Sequence, residues 1–150
     1  MIARVTALAG LLAALAYALN IAPFSHIVAI PVAALVAMCG MGVLARLNPD
    51  RRAALQVMVP PSLPHPDLLV WFTGACELAG AIGLLVPMTR PFAATGLILL
   101  LLAVFPANVT DARARGSADG SFRRRILRRG LQQLFFILLA AWALALSLTA

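Results

Sequence analysis

The sequence predicts an all-α fold, a polytopic transmembrane helical bundle in one domain over residues 1–150, and three observations predict it. Apolar residues make up 63% of the 150 positions and charged residues 11%, with a mean hydropathy of +0.98. A soluble domain carries charge on roughly a quarter of its residues, so most of this surface faces something other than water. The apolar residues also fall in runs close to the ~20 residues that carry a helix across a bilayer. Finally, all twelve cations are Arg, and they gather at the ends of those runs. Backbone polar groups in lipid must be satisfied within the segment, and no period-two alternation suggests a barrel, so the runs are helices.

Five spans follow in order. The first covers about 2–19 and is broken by Asn20, Pro23 and Ser25. Arg4, the apolar run and small residues near Ala14-Leu15-Ala16 also fit a cleaved signal, but apolar residues continue to Leu19, which favours a retained span. The second covers about 27–45. The third, about 68–86, is closed by Pro87, and Pro91 opens the fourth, about 91–109, after a tight turn. The fifth covers about 131–148. Pro31 and Pro106 are expected to kink or end their helices locally.

Two polar connections separate these spans. In the first, Asn48 reads as an N-cap with Pro49 at the first helical position. The segment it starts, about 49–59, is too short to span and mixes Arg51 and Arg52 with apolar residues, so it predicts an interfacial helix. An extended stretch rich in proline, residues 60–66, follows. The second connection, 111–130, holds seven Arg, among them Arg123, Arg124, Arg125, Arg128 and Arg129.

With five spans, eleven Arg share one side and Arg90 alone marks the other. The positive-inside rule then puts the N-terminus and the Arg-rich loop in the cytoplasm. Tyr17, Trp71 and Trp142 fall near span ends, as an aromatic belt requires. Anionic lipid headgroups are the natural partner of the Arg-rich loop, with the acidic surface of a soluble protein as the alternative; nucleic acid is not expected. Two His and two Cys scattered through the chain give no metal-ligand spacing. No phosphate-binding glycine loop or nucleophile elbow is present, so no bound cofactor is expected and catalysis by this chain alone is not either.

Glu77 is the leading candidate for chemistry. It lies nine residues into its span, ~13 Å deep at 1.5 Å per residue, where a carboxylate is costly unless protonated, paired or water-lined. Thr73, Gly80 and Ala81 share its helix face. One reading is a carboxyl that handles protons or a quinone; the other is a packing residue that hydrogen-bonds a neighbouring helix. Cys39 and Cys76 are placed at similar depth by the hairpin and would form a redox pair or pack as small hydrophobes. Gly74, Gly80 and Gly83 suit close helix crossing. Asn108, beside Pro106, lines a site or caps the helix, and Gln132 and Gln133 face the same choice.

One ordered set of motifs goes beyond composition. Val59-Pro60-Pro61-Ser62-Leu63-Pro64-His65-Pro66 leads into Gly74-Ala75-Cys76-Glu77-Leu78-Ala79-Gly80, and Phe105-Pro106-Ala107-Asn108 follows. Over about residues 35–110 this resembles the DoxX-like family of small bacterial integral membrane proteins. The resemblance implies a four-helix membrane bundle, so that the first span is an addition, and a place in the bacterial inner membrane. It also implies a role as membrane subunit or anchor of a quinone-linked redox complex, as in the small subunit of a thiosulfate:quinone oxidoreductase, with quinone as the associated cofactor. By position it points to Glu77 with Gly74 and Gly80, to the Pro60-Pro61 loop and to Asn108. Where relatives carry a His-Phe pair before the loop, this chain has Ala45-Arg46. Relatives with four spans place the proline loop outside, whereas the Arg count here places it inside. The alternative function is a non-catalytic anchor or assembly protein that binds lipid or a soluble partner through its Arg-rich loop, and self-association fits either.

Overall fold

In the computed structural model, residues 2–19, 27–116 and 121–149 are described, and they fold entirely as helices and short connections. Four helices are long and apolar enough to cross a membrane: α2 (Ala29–Leu47), α4 (Pro66–Leu85), α5 (Arg90–Gly116) and α6 (Phe122–Leu148). They are preceded by α1 (Ile2–Ala18), and α3 (Pro49–Met58) lies between α2 and α4. The expected first span is thus a shorter apolar helix of 17 residues, ~26 Å long against a hydrocarbon core of ~30 Å. The expected break at Asn20, Pro23 and Ser25 lies outside the described residues, as does His26.

The long helices form a closed antiparallel ring in which α2 packs on α4, α4 on α5, α5 on α6, and α6 back on α2. Its core joins Leu35 and Cys39 of α2 to Leu84 of α4, Leu97 of α5, and Phe136 and Ala140 of α6. Small residues set the spacing: a Cβ on Gly80 would strike the Leu97 side chain at 2.7 Å, and one on Gly83 would meet Ala93 Cβ at 2.8 Å. The α4–α5 pair therefore approaches as closely as small-residue crossings allow. Outside the ring, α1 packs on α2, with Gly10 facing Ala34.

The short helix α3 begins where expected. Asn48 Oδ1 accepts from Arg51 N at 3.0 Å, and Pro49 needs no N–H partner at the first position. It touches α2, α4 and α5 at one end of the ring. Arg52 reaches from it over the ring of Trp71, 5.4 Å from the centroid, and Gln56 donates to Asp67 at 2.7 Å. The chain then turns sharply into α4 through His65, whose φ of 52° is the left-handed conformation.

Neither internal proline ends its helix. Pro31 sits in the first turn of α2, where an N–H would be unpartnered anyway, so the helix runs on through it. Pro106 lies within α5, which runs on to Gly116 instead of ending near residue 109. The helix continues because Asn108, Asp111 and their partners on α6 hold the segment beyond the proline, as described below. The Arg-rich connection is accordingly helical on both flanks, with Arg113 and Arg115 on α5 and Arg123 to Arg129 on α6. Both helices have 27 residues, ~40 Å, and so outreach a ~30 Å hydrocarbon core by about two turns.

Candidate functional site

Arg46 occupies the penultimate position of α2, and its side chain runs back into the bundle along α4 instead of out to the surface. All of its donors are used. Nε donates to the Val70 carbonyl at 2.8 Å. Nη1 donates to the Gly42 carbonyl and to Glu77 Oε2, each at 2.8 Å. Nη2 donates to Thr73 Oγ1 and to Glu77 Oε1, each at 3.1 Å. The two contacts to the carboxylate form the bidentate pairing that a planar guanidinium fork favours. Thr73 accepts from Arg46 and turns its own hydroxyl to the carbonyls of Leu69 and Val70.

Two glycines make room for this pair. A Cβ on Gly42 would land on the Glu77 carboxylate, and one on Gly74 would land on Arg46 Cδ. These are the positions in α2 and α4 where the buried side chains lie flat against the backbone of the other partner. The pair is well shielded: 9% of the Arg46 side chain is exposed and 21% of the Glu77 side chain. That difference matters, because it shows that Glu77 has an open side.

The open side faces a pocket of about 180 Å³ between α2, α4, α5 and α6. Met38, Leu101, Val104 and Phe136 form its apolar walls, and Asn108, Arg129, Gln132 and Gln133 its polar end. Two of these amides are locked. Pro106 has no N–H for the Leu102 carbonyl, and the neighbouring carbonyl, that of Leu101, is met from α6. Gln133 Nε2 donates to the Leu101 carbonyl in this stretch at 2.6 Å, and Asn108 Nδ2 donates to Gln133 Oε1 at 2.8 Å. Arg129 is held in turn by Asp111, which accepts Arg129 Nη2 at 2.6 Å and Arg115 Nε at 2.5 Å.

A model of a domain of unknown function, DUF8561, matches residues 32–147. The chain belongs to the DUF8561 family. The matched stretch takes in nearly all of the four long helices, and with them every residue of the Arg46–Glu77 site, and leaves α1 outside. No curated protein and no solved structure matches the chain.

This DUF8561 member gathers some of the expected site residues and separates others. Glu77, Thr73, Gly74 and Asn108 lie at or beside one site. Gly80 does not, because it packs against Leu97 on the α5 side of α4. Cys39 is fully buried in the core, whereas Cys76 lines a separate groove of about 910 Å³ between α4 and α5; both thiols are free. Arg129 joins the pocket, while Arg123, Arg124 and Arg128 lie exposed and form no ion pair among the described residues. Arg125 donates to Ser121 Oγ at 2.7 Å.

Sequence reading missed Arg46, Gly42 and Asp111. Arg46 was readable only as the first residue of a polar connection. The signal that identifies it is indirect: a lone intramembrane acid needs a cation, and Arg46 is one turn beyond a glycine on the preceding helix.

Proposed function

We propose that this protein is the membrane subunit of a quinone-linked redox complex, and that the pocket beside Glu77 holds the polar ring of the quinone. The observation that carries this reading is the open edge of the Glu77 carboxylate, fixed by Arg46 and facing a pocket with apolar walls and a polar end. An amphiphilic ring needs that combination: apolar contact over its faces and a few placed hydrogen-bonding groups at its edge. The DoxX-like resemblance supports the same class of partner. Reduction of a benzoquinone to the quinol consumes two electrons and two protons. The electrons come from a flavin- or metal-containing oxidoreductase subunit, and the role of Glu77 is to accept and pass a proton at the ring.

The same reading places the chain in the bacterial inner membrane with the Arg-rich end in the cytoplasm, and takes α1 as a fifth crossing. Its 17 residues reach the lower limit for a span, and Leu8, Leu11, Leu12 and Leu15 leave an exposed apolar face for lipid. A second reading, a non-catalytic anchor for lipid or a soluble partner, is favoured by one observation, the exposed Arg123, Arg124 and Arg128 on α6, which form no ion pair among the described residues.

The test is extraction in mild detergent, followed by identification of bound proteins and by titration with a short-chain benzoquinone. A stoichiometric oxidoreductase partner, together with saturable quinone binding that Glu77→Gln weakens at least tenfold, supports the subunit reading. A chain that comes out alone and binds no quinone refutes it.

A further inference from the structure

The Glu77 carboxylate is incompletely satisfied by protein. Two carboxylate oxygens offer about four acceptor positions, and the only donors to them among the described residues are the two Arg46 amino groups. Arg46 by contrast has used every N–H it possesses. The Glu77 side chain is about one fifth exposed, and it lines the pocket. A carboxylate in a bilayer with open acceptor positions requires water or a ligand there, and about 180 Å³ is room for several waters.

The pocket has a direction. Its polar members, Asn108, Arg129, Gln132 and Gln133, lie toward the end of the bundle where α5 finishes and α6 begins. Its apolar members Met38, Leu101 and Phe136 lie at the inner end. Past them, toward Arg90, the ring is filled by fully buried Leu84, Ala94, Ala140 and Ala143. At that far end Arg90 Nε is tied to the Leu84 carbonyl at 2.8 Å. One route is lined with hydrogen-bonding groups and the other is closed by packed carbon.

We propose that this pocket is a one-sided aqueous vestibule, through which Glu77 communicates with the Arg-rich side of the membrane and not with the Arg90 side. The class of ligand it admits is water and the protons that water carries. The inference rests on the pocket assigned above and deepens that reading by naming the side from which protons reach Glu77, but it does not require a quinone.

The experiment uses full-length protein reconstituted in sealed vesicles, with Cys76→Ala to remove the groove thiol. One cysteine at a time is placed at Gln132, Asn108 or Val104, a membrane-impermeant thiol reagent is added from either side, and the protein that keeps only buried Cys39 gives the background to be subtracted. Ala53→Cys, on the exposed face of α3, and Met88→Cys, in the turn between α4 and α5, report the two sides. The expected result is reaction of Gln132→Cys and Asn108→Cys at least tenfold faster from the Ala53 side, with Val104→Cys slower from that same side. The Gln132 side chain makes no hydrogen bond among the described residues, so that variant keeps the test alive if Asn108→Cys fails to fold. Reaction from the Met88 side, or from neither side while both reporters react, overturns the proposal. A short-chain benzoquinone is then added as competitor. One-sided labelling that the quinone does not slow leaves the vestibule standing and removes the quinone from it.

Discussion

Replacing Arg46 by Met keeps most of the side-chain length and removes every N–H donor that the structure assigns to it. The Val70 and Gly42 carbonyls retain their helical partners, so the cost concentrates on Glu77, which loses both of its protein hydrogen bonds. Removing one partner of a buried pair costs about 3–5 kcal/mol in water-soluble proteins. Polar pairs within membrane bundles measure lower, averaging ~0.6 and reaching ~1.7 kcal/mol, because the unfolded state in the membrane also finds partners. Glu77 retains some access to the pocket, which lowers the figure further, while the charge and the bidentate geometry raise it. The expected loss for Arg46→Met is therefore about 2–3 kcal/mol. Glu77→Leu should cost about as much, because it leaves the less exposed Arg46 unpaired. The double variant replaces the pair by apolar groups and should recover most of the loss, as buried ion pairs often do. Equilibrium unfolding in mixed micelles, read by helical circular dichroism, gives all four corners of the cycle. A coupling energy under about 0.5 kcal/mol would show that Arg46 and Glu77 do not act as one clamping unit.

The same packing sets three further outcomes. Gly42→Ala and Gly74→Ala drive a methyl into the clamp and should each cost about 1–3 kcal/mol by overpacking. Gly40→Ala meets nothing within 4 Å and should be neutral or gain about 0.5–1 kcal/mol in the same unfolding assay. Asp111→Asn releases Arg115 and Arg129 together; because 56% and 39% of those side chains are exposed, the expected loss is only about 1–2 kcal/mol after allowing for screening. That loss should shrink further in high salt, which thermal unfolding at two ionic strengths reads. In the native protein a lipid-soluble maleimide should modify Cys76 at least tenfold faster than Cys39, since Cys76 faces the α4–α5 groove and Cys39 has no exposed surface. Equal rates by peptide mass spectrometry would mean that the α2 core opens.

How far this was legible in the sequence depended on whether a signal was periodic or pairwise. Runs of apolar residues placed α2 and α4 within two residues, because the thickness of a bilayer imposes their length, but missed the end of α5 by seven residues and the start of α6 by nine, where both helices run on past the apolar stretch. Asn48-Pro49 gave the start of α3, since capping is local chemistry. Glu77 stood out because a single charge inside an apolar run is rare and costly. The partner of that charge was not legible. Arg46 sits beside a helix end, where Arg is abundant for topological reasons, and no local pattern marks the one Arg that turns inward. The extension of α5 past Pro106 was missed for a related reason: proline signals a break, and the bonds that tie this part of α5 to Gln133 and Arg129 come from the neighbouring helix, 18 to 32 positions away in the chain. Cys39 and Cys76 share a depth on paper, but helix rotation sends one into the core and the other to a groove, and rotation is fixed only by packing.

The position of the clamp within the ring follows from how the chain is connected. The α4–α5 hairpin is closed by residues 86–89 and zipped by Gly80 and Gly83, so its register is set locally. The α5–α6 hairpin is tied near its connection by Asp111, Arg129, Asn108 and Gln133. Between α2 and α4 stand residues 48–65, a connection long enough to tolerate several registers. Apolar packing alone discriminates poorly among them, because lipid tails and neighbouring helices offer similar contacts. A bidentate pair flanked by two glycines does discriminate: a slip of one turn, ~5.4 Å, would set Arg46 against a position without a carboxylate and would place a side chain where Gly42 or Gly74 now gives room. The pair thus locks a junction of the ring that its long connection leaves loose. The same lock holds the Glu77 carboxylate with one edge on Arg46 and the other on the pocket, so the element that sets register is also the one that aims the candidate functional group.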